Sequence, residues 1–216
     1  MSAPRSQAQV DEALEVNRFW FGPAPHGLHT IRDREKLWFG ASTAEQHQGA
    51  IDEMIRERFG ELMQRAASGE LAGWADSPRR RLALILLLDQ FPRNAFRGTA
   101  RAFATDAAAL ALALSGIQAA ADAPLSPIER IFLCMPLQHA ERLDVQEESV
   151  AAYRRLLEEA PSDLRPFFIT AQASAERHHA IIQRFGRFPH RNEALGRPST
   201  PEELAYLNNG AERFGQ

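Results

Sequence analysis

Residues 178–192 read His178-His179-Ala-Ile-Ile-Gln-Arg-Phe-Gly-Arg-Phe-Pro-His-Arg-Asn192, a run in which an apolar helix gives way to a polar corner. The run holds three of the seven histidines of the chain. Its Gly186 marks the predicted end of the helix. Far upstream, Asp89-Gln-Phe-Pro-Arg-Asn94 repeats the pattern of 188–192 after another apolar helix. Two such corners indicate where the polar groups of the fold are concentrated.

Length and composition restrict the class of protein. A chain of 216 residues supports one well-buried core, so we predict a single domain over 1–216, with residues 1–9 flexible. The net charge of −3 favours neither nucleic acid nor an anionic membrane as a partner. The single cysteine, the short apolar runs, such as the seven residues 82–88, and the lack of a signal-peptide pattern favour a soluble cytoplasmic protein.

The hydrophobic pattern is helical throughout. No segment alternates with a period of two between turn residues, so the sequence predicts an all-α fold without a sheet. Ser126 and Thr200 each begin a capping box with proline next. We expect Pro92 to end the helix before it, residues 22–30 to form a loop, and a short segment to follow around Trp38. The predicted helices span 10–20, 43–67, 81–90, 106–114, 137–159 and 162–185.

Some polar residues fall on apolar helix faces. On the predicted 137–159 helix, His139 and Gln146 share a stripe with apolar residues, and His178 shares a face with the isoleucines that follow it. Buried polar groups need partners: each other, water or a ligand. Asp89 closes an apolar helix, where the helix dipole disfavours a negative charge. We therefore expect Asp89 to pair with an arginine, with Arg93, Arg97 and Arg191 as candidates.

Signatures of metal sites and covalent catalysis are weak. Glu176 and His179 have the spacing of a di-iron ligand pair, but the sequence holds no second Glu-x-x-His and no His-x-x-x-His. There is no Gly-x-Ser-x-Gly motif or glycine-rich phosphate loop, and Cys134 lies in an apolar run that would raise its pKa. We predict neither a metal nor a cofactor.

Several segments together resemble one bacterial family. They are Trp20-Phe21-Gly22, 84–94, Phe96-Arg-Gly-Thr-Ala100, Met135-Pro-Leu137 with His139, 184–192, Leu195-Gly-Arg197 and Ser199-Thr200. Over residues 14–208 the chain is similar to the family catalogued as domain of unknown function number 924. The resemblance implies tetratricopeptide-like antiparallel helix pairs packed as one right-handed helical-repeat-like domain, and it implies no activity or cofactor. The sequence lacks a clean repeat of roughly 34 residues, so a peptide-binding groove does not follow.

Three functions remain open, with binding of a small anion or acidic peptide group in an Arg/His-lined pocket placed first. The second is an enzyme that uses His139, His178 or His190 as general acid or base, with Asp89 orienting one of them. The third is a scaffold that joins protein partners through an exposed helical face. The predicted ligand-binding residues are Arg93, Asn94, His139, Gln146, His178, Arg187, His190, Arg191 and Asn192.

Overall fold

The computed structural model describes residues 7–39, 45–211 and 214, and these residues contain helices but no strand. The predicted all-α fold is therefore confirmed, whereas its likeness to tetratricopeptide repeats stays a prediction. Residues 7–9, predicted to be flexible, belong to the first helix, and the predicted helix start at Thr43 lies outside the described residues. The helices are α1 (Gln7–Phe21), α2 (Leu28–Phe39), α3 (Glu45–Ala67), α4 (Pro78–Ile85), α5 (Phe91–Ala95), α6 (Asp106–Gln118), α7 (Pro127–Gln138), α8 (Leu143–Glu158), α9 (Arg165–Phe185) and α10 (Pro201–Asn208).

Helix ends follow the predicted local chemistry at three places. Both capping boxes form. The Ser126 side chain accepts from the backbone N–H of Glu129 at the start of α7, and the Thr200 side chain accepts from the backbone N–H of Glu203 at the start of α10. Gly186 ends α9 in the left-handed conformation, with φ of 70°, which a residue with a side chain rarely adopts.

Several predicted boundaries are wrong. The loop expected to reach residue 30 ends at 27, and the short segment around Trp38 is the end of the twelve-residue helix α2. Helix α6 continues past Gly116 to Gln118. A Cβ on Gly116 would lie 2.9 Å from Cδ of Arg81, so this glycine permits close packing and does not end the helix.

The segment between α4 and α5 corrects the role given to Pro92. Leu86–Gln90 form a π-helical turn, in which the N–H of Phe91 donates to the carbonyl of Leu86, and the helix continues to Ala95. Because proline has no N–H, the carbonyl of Leu88 loses its usual partner; the hydroxyl of Thr105 donates to it. The proline is thus accommodated by a wider turn and a side-chain donor.

The predicted 137–159 helix is two helices. Helix α7 ends at Gln138 and α8 begins at Leu143, so His139 is not on the stripe of Gln146. The Gln146 amide, fully buried, donates to the carbonyls of Gln138 (2.7 Å) and Ala140 (2.8 Å). It therefore satisfies the backbone at the break.

The core lies around α7, whose apolar residues are buried almost all round. The N-terminal aromatic residues pack onto it: the Trp20 ring centroid lies 5.4 Å from that of Phe91 and 5.8 Å from that of Phe132. Only Phe39 of this group is largely exposed. The aromatic cluster thus contributes to the core and leaves a small exposed apolar surface.

One segment has the apolar character of a membrane span. Within the described residues, 100–118 is long and apolar enough by length and composition, and 22% of it is buried. Its α-helical part, α6, has 13 residues. At 1.5 Å per residue this is about 20 Å, shorter than the roughly 30 Å hydrocarbon core of a bilayer. Helix α6 packs against α4 and α7.

Candidate functional site

The polar corners meet around a hydrogen bond between Asp89 and His139. Asp89 lies in the π turn and is fully buried, and its Oδ1 is 2.7 Å from Nδ1 of His139, the residue that follows α7. The amide of Gln90 donates to the other carboxylate oxygen over 2.6 Å. His139 keeps 13% of its side chain exposed. The π turn thus turns a carboxylate inward against a histidine at the end of another helix.

The charges around this pair determine which atom carries the proton. Burial opposes ionisation of Asp89, but Arg93 and His139 outweigh burial and hold its pKa below the ordinary value. Burial, together with Arg93, lowers the pKa of His139 despite the attraction of Asp89. An ionised carboxylate only accepts, so Nδ1 of His139 donates to it and Nε2 of the neutral ring carries a lone pair. No described residue forms a hydrogen bond with that Nε2.

A second imidazole lies beside the first. The ring centroid of His178 is 6.1 Å from that of His139, and its Nδ1 is 2.8 Å from the carbonyl oxygen of Ser174. A carbonyl also only accepts, so the ring of His178 likewise presents an unprotonated Nε2. Burial lowers the pKa of His178 well below the ordinary value. The ring of Phe214 stacks on it at 3.8 Å.

A third histidine completes an aromatic wall. The ring of His190 lies 5.5 Å from Phe188 and 5.6 Å from Phe214, and its Nδ1 is buried without a hydrogen-bond partner among the described residues. Burial and the charge of Arg191 lower the pKa of His190 to about 3. The predicted candidates His139, His178 and His190 thus surround one small region.

Two arginines share one carboxylate next to this region. Asp106 receives two hydrogen bonds from Arg93, at 2.8 and 2.9 Å, and one from Arg191 at 3.1 Å. Arg93 also lies 3.1 Å from Asp89. The Arg191 guanidinium sits between the rings of Phe103 and Phe188, at 4.6 and 4.5 Å, and its Nε has no partner within the described part of the chain. Burial and Arg93 lower the pKa of Arg191 to about 10.

Four predicted ligand-binding residues serve structural contacts. Gln146 caps the end of α7, and Asn94 accepts a hydrogen bond from Arg97. Arg97, a predicted partner of Asp89, forms its ion pair with Asp52. Arg187 and Asn192 both bind Glu203 of α10, at 2.6 and 3.3 Å.

Two acidic residues were missed. Asp106 resembles an ordinary helix cap in the sequence, but its side chain holds two arginines. Glu141 lies in the break before α8, where it accepts from Arg197 at 2.6 Å and from the N–H of Phe188 at 2.8 Å. The arginines of residues 178–192 were the available signal for these two carboxylates, because a buried charge needs a partner of opposite charge.

Comparison with known proteins gives one family and one solved structure. Residues 16–211 match the family described as "Bacterial protein of unknown function (DUF924)". The structure of a protein of unknown function from Agrobacterium tumefaciens, ATU0120, is similar, with 35% sequence identity, a TM-score of 0.76, and coverage of 94% of this chain and 99% of that one. No curated protein matches.

Proposed function

We propose that this chain, which belongs to the bacterial family of unknown function DUF924, is an enzyme in which His139 acts as general base. The proposal rests on the geometry of this chain, because the family has no known function. In this proposal Nε2 of His139 accepts a proton from water or from a hydroxyl group of a small substrate in the cytoplasm. Asp89 is a positioning residue: it fixes the tautomer and the orientation of the ring.

The observation that carries the proposal is the 2.7 Å contact between the buried Asp89 carboxylate and Nδ1 of His139. It supports a neutral imidazole at physiological pH, since its pKa is lowered, with the lone pair on the nitrogen that no described residue occupies. A general base needs both properties. The neighbouring lone pair of His178 suits a second hydrogen-bond donor on the same substrate.

The anion-binding function predicted from the sequence is the second candidate. In its favour, Nε of Arg191 is buried without a partner among the described residues, which a carboxylate or phosphate oxygen would satisfy. Against it, the protein's own carboxylates already occupy Arg93 and Arg187. Two imidazole lone pairs also repel an anion. The balance of charges favours proton transfer.

The general-base proposal is tested by hydrolysis of p-nitrophenyl acetate, a probe that only requires an activated water. We expect the wild type to exceed His139→Gln by about 100-fold or more in kcat/KM. The rate should fall on acidification with a midpoint below 6.5, because the pKa of His139 is lowered. His179→Gln, one helix position from the site, is the matched control and should retain the wild-type rate.

Equal rates for the wild type and His139→Gln, in folded proteins, would refute the proposal. The second candidate is tested separately by calorimetric titration with inorganic phosphate and with citrate. Binding by the wild type that Arg191→Gln abolishes and His139→Gln retains would support anion binding in place of catalysis.

A further inference from the structure

Helices α6 and α8 pack on two sides of α7 and leave a surface groove between them. The groove has a volume of about 430 Å³ and is distinct from the histidine region. Leu137 of α7 contributes to its lining, Leu114 and Ile117 of α6 line one side, and Ala151 and Ala152 of α8 line the other. Leu114 and Ile117 are half-buried and Ala151 is exposed, whereas Leu137 and Ala152 are buried beneath them.

The exposed face of α8 beside this groove carries an unusual order of charges. Glu147 and Glu148 precede the exposed Ala151, and Arg154 and Arg155 follow it at the same spacing. At 100° per residue, these five residues lie on one face of the helix. No ion pair within the described ranges involves any of the four charged residues. The charges are therefore reversed across a small central residue and not neutralised within the chain.

This order is complementary to itself. When two copies of such a helix lie antiparallel with a two-fold axis at Ala151, the acidic half of each faces the basic half of the other. Glu147 then opposes Arg154 of the second copy, and Glu148 opposes Arg155, because each of these pairs lies on the same side of the contact face. The small side chain of Ala151 allows the helices to approach closely at the axis.

We propose that the chain forms a two-fold homodimer through the exposed face of α8, with the grooves of the two copies facing each other beside the paired helices. Two acidic and two basic residues from each copy provide four ion pairs, and Ala151 with Leu114 and Ile117 of α6 provides the apolar contact. At the ends of the interface Asp144 faces Glu158 of the second copy. Arg142 already forms an ion pair with Asp144, which reduces that repulsion.

The test is sedimentation equilibrium of the full chain at 50 mM and 500 mM sodium chloride. We expect a dimer for the wild type at the lower salt concentration, with a weaker association at the higher one because exposed charges are screened. Glu147→Arg with Glu148→Arg makes all four central charges of the face basic, and Arg154→Glu with Arg155→Glu makes all four acidic. Each variant alone should be a monomer, while an equimolar mixture should form a heterodimer.

The substitutions are on exposed positions, and circular dichroism checks that each variant is folded. A wild type that stays monomeric at 200 μM, or variants that dimerise as well as the wild type, would overturn the proposal. A matched reversal on another exposed pair, Arg184→Glu with Glu202→Arg, should leave the association unchanged. If that reversal alone abolishes the dimer, the interface lies on α9 and α10 and the assignment to α8 is wrong.

Discussion

Replacing His190 with phenylalanine should remove part of the acid sensitivity of the fold. The His190 ring lies among aromatic rings, and its buried Nδ1 forms no hydrogen bond with a described residue, so a phenyl ring can take its place with little loss of contact. The pKa of His190 is lowered to about 3 in the folded chain, against about 6.5 in an unfolded one.

The magnitude follows from the difference between these two values. Below pH 6.5 the unfolded chain takes up a proton at this position that the folded chain refuses, so the free energy of unfolding decreases as the pH falls. From pH 7 to pH 5 the decrease amounts to about 1.9 kcal/mol for His190 alone. The pKa values of His139 and His178 are lowered as well, so these residues contribute in the same direction. Asp89 contributes nothing in this window, because its carboxylate stays ionised in both states above pH 5.

Urea unfolding followed by circular dichroism at pH 5, 6, 7 and 8 measures the effect. The wild type should lose more stability than His190→Phe between pH 7 and pH 5, by about 1.9 kcal/mol. Between pH 7 and pH 8 the two proteins should differ by a constant amount, which serves as the internal control. Parallel curves over the whole range, within about 0.5 kcal/mol, would refute the burial argument for this histidine.

Three further predictions concern stability. Asp106→Asn removes the carboxylate that two buried arginines share and should lower the free energy of unfolding by about 2–3 kcal/mol. Asp144→Asn, in an exposed ion pair, is the control and should leave the denaturant midpoint unchanged. Equal effects of the two substitutions would contradict the buried-pair argument. Gly60→Ala should raise the free energy of unfolding by about 0.5–1 kcal/mol, because it lies in α3 and its Cβ would meet nothing within 4 Å. Gly116→Ala should lower the free energy of unfolding, because its Cβ would press on the Arg81 side chain, which binds the carbonyl of Leu112 and the hydroxyl of Ser115. If both alanine variants are more stable in urea unfolding, Arg81 moves aside at no cost.

The helical class follows from local rules, but two breaks depend on distant residues. Periodicity predicts α3 and α9, and capping chemistry predicts the starts of α7 and α10, because each signal lies within the helix itself. No such local signal predicts where α7 and the π turn end. The carbonyls exposed there are satisfied by Gln146 and by Thr105, and no local pattern shows that these side chains fold back onto them.

The same distinction applies to the site. The sequence could identify His139, His178 and Asp89 as polar groups on apolar faces, since burial of a polar residue is visible in the hydrophobic pattern. His139 was identified for a partly wrong reason, because it follows α7 and points inward through its bond with Asp89. Which arginine meets which carboxylate depends on the packing of helices far apart in sequence, so Asp106 was missed and the ion pair between Arg187 and Glu203 was not predicted.

The π turn at Leu86–Gln90 also bears on how relatives of this chain are compared. A π turn holds one residue more than the α-helical turn that would span the same distance, so deleting one residue there would restore a regular helix. The helix on either side would keep its orientation, and the change would fall on the side chains of the turn itself, which include Asp89. A relative with a one-residue gap between positions 85 and 91 would therefore direct its carboxylate away from the histidine. Alignment gaps at this turn thus distinguish relatives that retain the Asp–His pair from those that have lost it.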